Sequence, residues 1–361
     1  MTIPEHFIEL NTPSKNLDII SDLKFSPTSS HDQLLVSTWN NEILIYELHN
    51  LLIPHEPPPI EPVQIFQTKD TPLCLLSAST TSYAGLLDGT VRELDFENLK
   101  LGNNIASETN ENEINGGINN ICHVSSLNSI ICSTFSGKLQ LIDQRQRSDL
   151  AQTYQNKSKI FTMDVSDKYL TCGLTSNVLE IYDFRKLQAP LQTRQVGLKY
   201  QIKDLKTFPD NQGFALSTID GRVSIEYFDS SPEIQNSKRF TFKCHRHLDE
   251  NTGADLVYPV NSIAFNKKYS TLFTSGSDGS ICLWDCDKRK RMRQYPKFLS
   301  HEGEPESIVK IGLNHSDELI AVATSDDNYK RRRRLSEGQN SRAPSRLYVK
   351  RLTPTECMPK K

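Results

Sequence analysis

The amino-acid sequence predicts an all-β fold, and three observations support this prediction. An apolar run, a tight polar turn and a second apolar run recur seven times along the 361 residues. The turns begin at residues 40, 88, 136, 176, 220, 278 and 326, so the intervals between them are 48, 48, 40, 44, 58 and 48 residues. The runs are rich in β-branched and aromatic residues and lack a helical period. Hairpins repeating at this spacing are typical of a β-propeller, so we predict a single seven-bladed domain over residues 1–361.

The strands of one blade are clearest in the sixth repeat. Its apolar runs cover residues 260–265, 270–275 and 280–285, and an Asp-Gly turn joins the last two. Asp-Gly between alternating apolar residues is a strong hairpin signal. A pair of β-sandwiches is the alternative all-β fold, but sandwiches rarely show this regular spacing.

The two ends of the chain are expected to close the ring. The seventh repeat runs through residues 307–311, 318–323 and 346–352 and then lacks an outer strand. Residues 5–10 (Glu-His-Phe-Ile-Glu-Leu) form a spare strand of suitable length. We therefore predict that this N-terminal strand completes the last blade.

Three insertions and a tail interrupt the repeats. Residues 54–62 are rich in proline and are expected to be extended, as a spacer or as a docking segment. Residues 103–117 are rich in Asn and Glu and are predicted to be a flexible loop. Residues 328–345 are predicted to be a disordered basic loop inside the last blade, and residues 353–361 a flexible C-terminal tail.

The charge of the chain is unevenly distributed. The formal net charge is −2, but residues 330–361 contain 11 basic and 2 acidic residues, a net of +9, which leaves about −11 for the remainder. The sequence therefore predicts an acidic disc with a basic end and no uniform field toward nucleic acid or membrane.

The cysteines and the N-terminus indicate a reducing compartment. Most of the eight cysteines lie within apolar strands, and none forms a CxxC pair. The first residues lack the basic and apolar regions of a secretory signal. No apolar run approaches the ~20 residues that span a bilayer, so no membrane partner is expected.

Catalysis finds little support in the sequence. There is no phosphate-binding glycine loop between a strand and a helix and no GxSxG motif. Residues 244–247 (Cys-His-Arg-His) are the one local group of metal-ligand types, but neighbouring positions of a strand point to opposite faces. We therefore expect no enzyme activity and no cofactor or metal.

Binding residues are better represented. Arg222 follows the turn at 220–221, and Lys243 and Arg246 come from the next strand and its end. These cations suit a phosphate or carboxylate, although they also fit solvated charges on a strand. Trp39 and Phe135 occupy equivalent positions beside hairpin turns, where they are either an apolar anchor for a peptide or ordinary packing residues.

The basic run at residues 330–334 (Lys-Arg-Arg-Arg-Arg) leaves several interpretations open. A nuclear import signal, a nucleic-acid patch and a solvated charge run all fit it. With Ser336 it also suits a basophilic kinase.

Several segments resemble a known family. Residues 159–164 (Lys-Ile-Phe-Thr-Met-Asp), 197–204 (Gly-Leu-Lys-Tyr-Gln-Ile-Lys-Asp), 218–227 (Thr-Ile-Asp-Gly-Arg-Val-Ser-Ile-Glu-Tyr) and 240–246 (Phe-Thr-Phe-Lys-Cys-His-Arg) are followed by 258–263 and 276–279. Together they resemble the WD-repeat propellers of the spindle-assembly checkpoint, the family of the third budding-uninhibited-by-benzimidazole protein. The resemblance covers about residues 15–329 and is most specific between 159 and 284.

This resemblance implies a function. Such propellers are non-enzymatic adaptors that bind a short motif in checkpoint kinases and kinase-like proteins. They also bind phosphothreonine in MELT repeats of an outer-kinetochore scaffold, at unattached kinetochores in the nucleus. By this resemblance Arg222 and Lys243 match the phosphothreonine contacts. Trp39, Phe135, Lys203 and Arg246 match positions associated with the partner motif.

Two residues depart from the family pattern. Lys203 stands where arginine is usual, which loses a bidentate grip on glutamate, and Phe135 stands where tryptophan is common. We expect a partner with an altered motif or weaker binding, in hetero-complexes that contain one copy of the propeller.

The sequence also bears on two other classes of binding protein. The related messenger-RNA export propellers share the Asp-Gly-Arg and Lys-Cys-His-Arg segments and bind a similar motif in a nucleoporin. The short N-terminus and the single Trp-Asp dipeptide favour the checkpoint family, while the basic end leaves RNA contact open. A substrate receptor of a ubiquitin ligase has no sequence feature in its favour.

Overall fold

Seven sheets surround a central channel in the computed structural model, which confirms the predicted β-propeller. The structure describes residues 6–27, 32–48, 51, 59–78, 81–106, 116–143, 152–250, 252–300, 303–326 and 343–360. Within these residues every blade is a four-stranded antiparallel sheet. No helix in this part of the chain has the length and apolar character needed to cross a bilayer.

The first three blades follow the chain in order after a short N-terminal strand. The N-terminal strand is β1 (Ile8–Leu10). The strands of the three blades are β2 (Ile20–Phe25), β3 (Gln33–Thr38), β4 (Glu42–Glu47) and β5 (Gln64–Gln67) in blade 1; β6 (Pro72–Ser77), β7 (Ser82–Leu86), β8 (Val91–Asp95) and β9 (Lys100–Asn104) in blade 2; and β10 (Ile118–Val124), β11 (Ser129–Thr134), β12 (Lys138–Asp143) and β13 (Gln152–Gln155) in blade 3.

Blades 4 to 6 continue the same order, with one helix and one extra hairpin. Their elements are β14 (Ile160–Val165), β15 (Tyr169–Leu174), β16 (Val178–Asp183) and β17 (Gln192–Gln195) in blade 4; β18 (Ile202–Thr207), β19 (Gly213–Thr218), β20 (Arg222–Tyr227), α1 (Pro232–Ser237) and β21 (Phe240–Lys243) in blade 5; the hairpin β22 (Arg246–Leu248) and β23 (Asp255–Val257); and β24 (Val260–Asn266), β25 (Thr271–Gly276), β26 (Ile281–Asp285) and β27 (Lys290–Gln294) in blade 6.

Blade 7 contains both ends of the chain. Its strands β28 (Ile308–Leu313), β29 (Leu319–Thr324) and β30 (Arg346–Arg351) are completed by β1, in which Ile8 pairs with Val349 and Leu10 with Leu347. The predicted closure by the N-terminal strand is thus confirmed, over a shorter span than residues 5–10. Phe7 precedes β1 and packs edge-on against Phe298, with ring centroids 4.9 Å apart.

The alternation of side chains explains how the core holds the blades together. Seven apolar clusters lie between successive blades, one for each interface. In β3, Leu34 and Val36 face blade 7 whereas Leu35 faces blade 2. Because adjacent residues of a strand point to opposite faces, a middle strand packed on both sides must be continuously apolar. This requirement accounts for the apolar runs of the sequence.

The C-terminal residues are ordered against blades 6 and 7, which the sequence does not predict. Where a flexible tail is expected, residues Pro354–Cys357 form the helix α2 with a Thr353 capping box. Glu356 accepts hydrogen bonds from the Lys350 ammonium at 2.8 and 3.0 Å, and Cys357 is buried. Burial would raise the pKa of Glu356, but the bond to Lys350 outweighs it and the pKa is lowered. The helix therefore adds an ion pair with β30, the strand that pairs with β1.

Two of the predicted insertions lie largely outside the described residues. These are residues 52–58 of the proline-rich segment and residues 327–342 of the basic loop. The predicted loop at 103–117 begins later than expected, because Lys100–Asn104 is β9, and residues 107–115 are also outside the described part.

Candidate binding face

One face of the ring carries the turns that follow the second strand of each blade, and we call it the turn face. The amide just after each second strand donates to the carbonyl just before the first strand of the same blade. Examples are Trp39 to Ile19 at 2.9 Å and Phe135 to Gly117 at 3.1 Å. Because the bond recurs in every blade, the donors occupy equivalent places on the turn face. They are Trp39, Leu87, Phe135, Thr175, Ile219, Ser277 and Ser325.

Large apolar side chains are exposed at four of these seven places. Trp39 is 47% exposed and Phe135 37%, so neither is a core residue. Leu87 lies between them on blade 2 and is 49% exposed, and Ile219 on blade 5 is 38% exposed. Trp39, Leu87 and Phe135 form an apolar arc across three consecutive blades. Sequence reasoning missed Leu87 and Ile219, although their equal offset from the turns was a usable signal.

Lys203 lies at the mouth of the central channel. The pairing of β18 with β19 shifts between Ile202 and Asp204, which makes Lys203 the extra residue of a β-bulge. Such an insertion changes the direction of a side chain, and here the exposed Lys203 lines the central cavity. Corresponding shifts occur in all seven first strands. Lys203 therefore belongs to the turn face but at its centre, away from the apolar arc at mid-radius.

Deeper in the channel, aspartates link neighbouring blades. Asp204 of blade 5 accepts the amide of Ile263 in blade 6 at 3.0 Å, and Asp22 of blade 1 accepts the amide of Leu75 in blade 2 at 2.9 Å. Burial would raise the pKa of Asp22, but nearby lysines and the amides of Leu75 and Leu23 lower it. Both aspartates therefore serve the assembly of the ring.

Arg222 and Lys243 stand directly opposite each other on neighbouring strands. Both belong to blade 5, on β20 and β21. The Cys244 amide donates to the Gly221 carbonyl at 2.9 Å, which makes 222 and 243 a non-hydrogen-bonded pair. Their Cα atoms are then about 4.5 Å apart and their side chains project on the same face.

The environment of this pair is cationic and accessible. The Arg222 side chain is 36% exposed, and its Nε lies 3.1 Å from an Asp220 carboxylate oxygen. Lys243 is exposed and makes no ion pair or hydrogen bond with the rest of the described chain. Two like charges directly opposite each other destabilise a sheet. A doubly charged anion between them would remove this repulsion and accept bonds from both.

Arg246 lies beside the same turn, with a side chain that is only 18% exposed. Its guanidinium donates to the carbonyls of Asp220 at 3.2 Å and Gly221 at 3.3 Å and lies 3.5 Å from an Asp255 oxygen. Gly221 has φ +66°, and a Cβ there would be 2.7 Å from the Cys244 carbonyl oxygen, so the turn needs glycine. Arg246 thus supports the turn from which Arg222 projects.

His245 belongs to a buried hydrogen-bonded network that joins it to blade 6. Its Nδ1 lies 2.8 Å from Asp278 Oδ1 and its Nε2 lies 2.9 Å from Thr274 Oγ1, which also accepts Trp284 Nε1–H at 3.0 Å. Burial would raise the pKa of Asp278, but His245 and Ser280 lower it. Among the described residues, no group of three or more His, Cys, Asp or Glu is placed to hold a metal.

Comparison with known proteins agrees with this architecture. The family model of the WD domain, G-beta repeat (WD40), matches residues 240–285, which contain this network. The chain is 31% identical over 349 residues to the mitotic checkpoint protein bub3 of Dictyostelium discoideum, covering 95% of this chain and 94% of that protein. It is 29% identical over 357 residues to the mitotic checkpoint protein BUB3.1 of Arabidopsis thaliana, covering 98% and 94%. It is 26% identical over 362 residues to the mRNA export factor GLE2 of Chaetomium thermophilum, covering 98% and 92%.

The closed ring of blades and the His–Asp–Thr–Trp network define a WD-repeat propeller. Its matches at full length go further than this class. The chain belongs to the Bub3 family of mitotic checkpoint proteins.

Proposed function

We propose that this propeller is a non-enzymatic adaptor of the spindle-assembly checkpoint that binds phosphothreonine through Arg222 and Lys243. The observation that carries the proposal is the direct opposition of these two cations at the exposed edge of blade 5. A phosphothreonine side chain is close to a dianion at neutral pH and offers three acceptor oxygens. One such group neutralises the pair, whereas an unmodified threonine does not.

The ligand proposed for this site is the phosphorylated MELT repeat of an outer-kinetochore scaffold. This assignment rests on the family resemblance, and the geometry of the cation pair supports it. Arginine supplies a planar fork for two phosphate oxygens, and lysine adds a mobile third donor. Arg246 acts as a positioning residue, because it holds the turn that carries Arg222.

A second surface is proposed for a short motif in checkpoint kinases and kinase-like proteins. The apolar arc of Trp39, Leu87 and Phe135 offers hydrophobic contacts, and Lys203 offers a cation at the channel mouth. A motif that crosses the turn face from the arc to the channel would bring an acidic residue to Lys203. Because lysine binds a carboxylate as a point charge, this contact is less directional than one with arginine.

Both surfaces lead to one role. The protein would bring its kinase partners to phosphorylated scaffold at unattached kinetochores, and we place its site of action in the nucleus. Since the phosphate pair is on the edge of blade 5 and the apolar arc is on blades 1 to 3, the two ligands use separate residues.

The second candidate is an mRNA export propeller that binds a nucleoporin motif and contacts RNA through the basic end. The similarity to GLE2 favours it, although the identity of 26% is lower than the 31% to the bub3 protein. The turn-face arc fits a motif from either kind of partner, and both families share the segments that carry Arg222 and Lys243. A measured preference for a phosphorylated ligand is therefore what distinguishes the two functions.

The decisive experiment compares a phosphorylated MELT peptide with the same peptide without phosphate, by fluorescence anisotropy with the full chain. We expect at least a tenfold preference for the phosphorylated form. Equal affinity for the two forms would refute the checkpoint role as stated, and selective binding of a nucleoporin motif would then support the export role.

A further inference from the structure

A strip of five cations runs along the outer rim of blade 6, far from the proposed phosphate pair in sequence and on a different blade. Within residues 288–293 only Met292 is uncharged. The blade-6 strip consists of Lys288, Arg289, Lys290, Arg291 and Arg293. All five are exposed, and Lys290, Arg291 and Arg293 lie within β27, the outermost strand of the blade. Charged side chains on an edge strand prevent unwanted pairing, but this role does not account for the two further cations that precede the strand.

The positive charge of the strip is scarcely compensated by the described residues. Among the described residues, Arg293 is the one cation of the strip that forms an ion pair, 3.7 Å from Glu356. The Glu356 carboxylate already binds Lys350. Lys288 and Arg289 donate to the backbone carbonyls of Lys360 and Ser237, which have no formal charge. Most of the strip's charge therefore faces solvent.

A β-bulge distributes these cations over both sides of the rim. Arg293 pairs with Leu283 and Arg291 with Trp284, so Met292 is the extra residue between them. Since Leu283 and Trp284 point to opposite faces of β26, Arg293 and Arg291 also point to opposite sides. Arg289 lies on the blade-5 side, 4.7 Å above the ring of Phe240. A ligand that lies along the edge would meet cations on both sides.

The strip contrasts in charge with the remainder of the chain. The net charge is −2, the strip contributes +5 and residues 330–361 contribute +9, so the remainder carries −2 − 5 − 9 = −16. An anion is therefore attracted to the strip more than to the acidic remainder of the chain. The strip is narrow, because it follows a single strand of five residues that is about 17 Å long.

We propose that the blade-6 strip binds an extended acidic peptide segment of a partner protein, rich in Asp and Glu. Arginine and lysine on both sides of an edge suit carboxylates that alternate along an extended chain. Single-stranded nucleic acid is less suited, because its binders stack bases on exposed aromatic rings. The aromatic residues nearest in the chain are covered: Tyr295 is 5% exposed, and Trp284 packs on Phe242 with ring centroids 4.4 Å apart.

The test measures binding of two labelled probes to the full chain at 50 mM salt. One is a twelve-residue peptide with eight alternating Asp and Glu residues, and the other is a twenty-nucleotide poly-U RNA. The variant Lys290→Gln/Arg291→Gln removes two charges from exposed side chains. The matched control Lys168→Gln/Lys186→Gln removes two charges from exposed side chains of blade 4.

We expect the strip variant to weaken peptide binding at least fivefold and the control variant to leave it within twofold. Loss of the peptide affinity at 500 mM salt should accompany this result, because exposed charges are screened. The proposal is overturned if the unaltered protein does not bind the peptide or if both variants bind alike. Tighter binding of poly-U that depends on Lys290 and Arg291 would overturn the peptide class and assign the strip to RNA.

Discussion

Replacing Arg222 with alanine is the sharpest test of the phosphothreonine site. The change removes one half of a cation pair whose other half, Lys243, stays in place. A hydrogen bond to a charged group contributes roughly 1.5–3 kcal/mol, and an arginine fork makes two such bonds to phosphate. The Arg222 side chain is about one-third exposed, so we take the lower end for each bond.

The expected loss is then roughly 3 kcal/mol, which is about a hundredfold in Kd. Lys243→Met removes a single point-charge contact and should cost roughly 1.5 kcal/mol, about tenfold. If one phosphate bridges both cations, the double variant should lose less than the sum of the two single losses, because the two contacts share one ligand group. Fluorescence anisotropy with the phosphorylated MELT peptide measures all three values.

The fold should survive the Arg222 substitution. The ion pair with Asp220 is lost, but so is the repulsion from Lys243, and surface changes of this kind are usually within about 0.5 kcal/mol. Arg185→Ala is a matched control, because Arg185 also pairs with an aspartate two residues earlier, Asp183. Arg185 follows the last residue of β16 in blade 4, whereas Arg222 is the first residue of β20 in blade 5. Thermal unfolding should be unchanged in both variants.

The phosphothreonine site is refuted if folded Arg222→Ala protein binds the phosphopeptide as tightly as the unaltered chain. It is also refuted if Arg185→Ala weakens binding to the same extent, since a general loss of positive charge would then explain the effect.

Three further predictions concern other parts of the molecule. Trp39→Ala should weaken binding of a checkpoint-kinase motif peptide by roughly 2 kcal/mol or more without changing phosphopeptide affinity, and calorimetry with both peptides measures this. Deletion of residues 1–12 should lower the melting temperature markedly, because it removes β1 and Phe7, and Phe7→Ala alone should cost about 3 kcal/mol in denaturant unfolding. The pKa of Asp278 is lower in the folded protein than in the unfolded chain, where it is about 3.9, so the ionised carboxylate stabilises the fold. This stabilisation is fully present at pH values above the unfolded pKa and is lost as the pH falls through the folded pKa. Asp278→Asn should therefore flatten the dependence of unfolding free energy on pH below about 5, as followed by circular dichroism.

Each of these predictions has a result that contradicts it. Equal loss of both peptides in the Trp39 variant would indicate a folding defect. An unchanged melting temperature after the deletion would mean that β1 does not fasten the ring. A pH profile of Asp278→Asn parallel to that of the unaltered protein would show that other groups dominate acid unfolding.

The sequence was a good guide to the sheets and a partial guide to the site. Trp39 and Phe135 were found because each follows a hairpin strand at the same offset from a turn, and the structure exposes both. Leu87 shares that offset but was overlooked, because leucine beside a strand resembles core. α2 was also missed, since the short run at 354–357 has no period to distinguish it from a tail.

The repeat spacing and the alternation of apolar residues were enough to predict seven blades and their closure, because both patterns arise from local backbone geometry that the order of residues records. The arrangement of the charged groups needed the folded molecule. A bulge directs Lys203 to the channel, strand register sets Lys243 opposite Arg222, and Arg246 turns back onto the 220–221 carbonyls. Such placements depend on contacts between strands, and a shift of one residue in register would put each side chain on the other face.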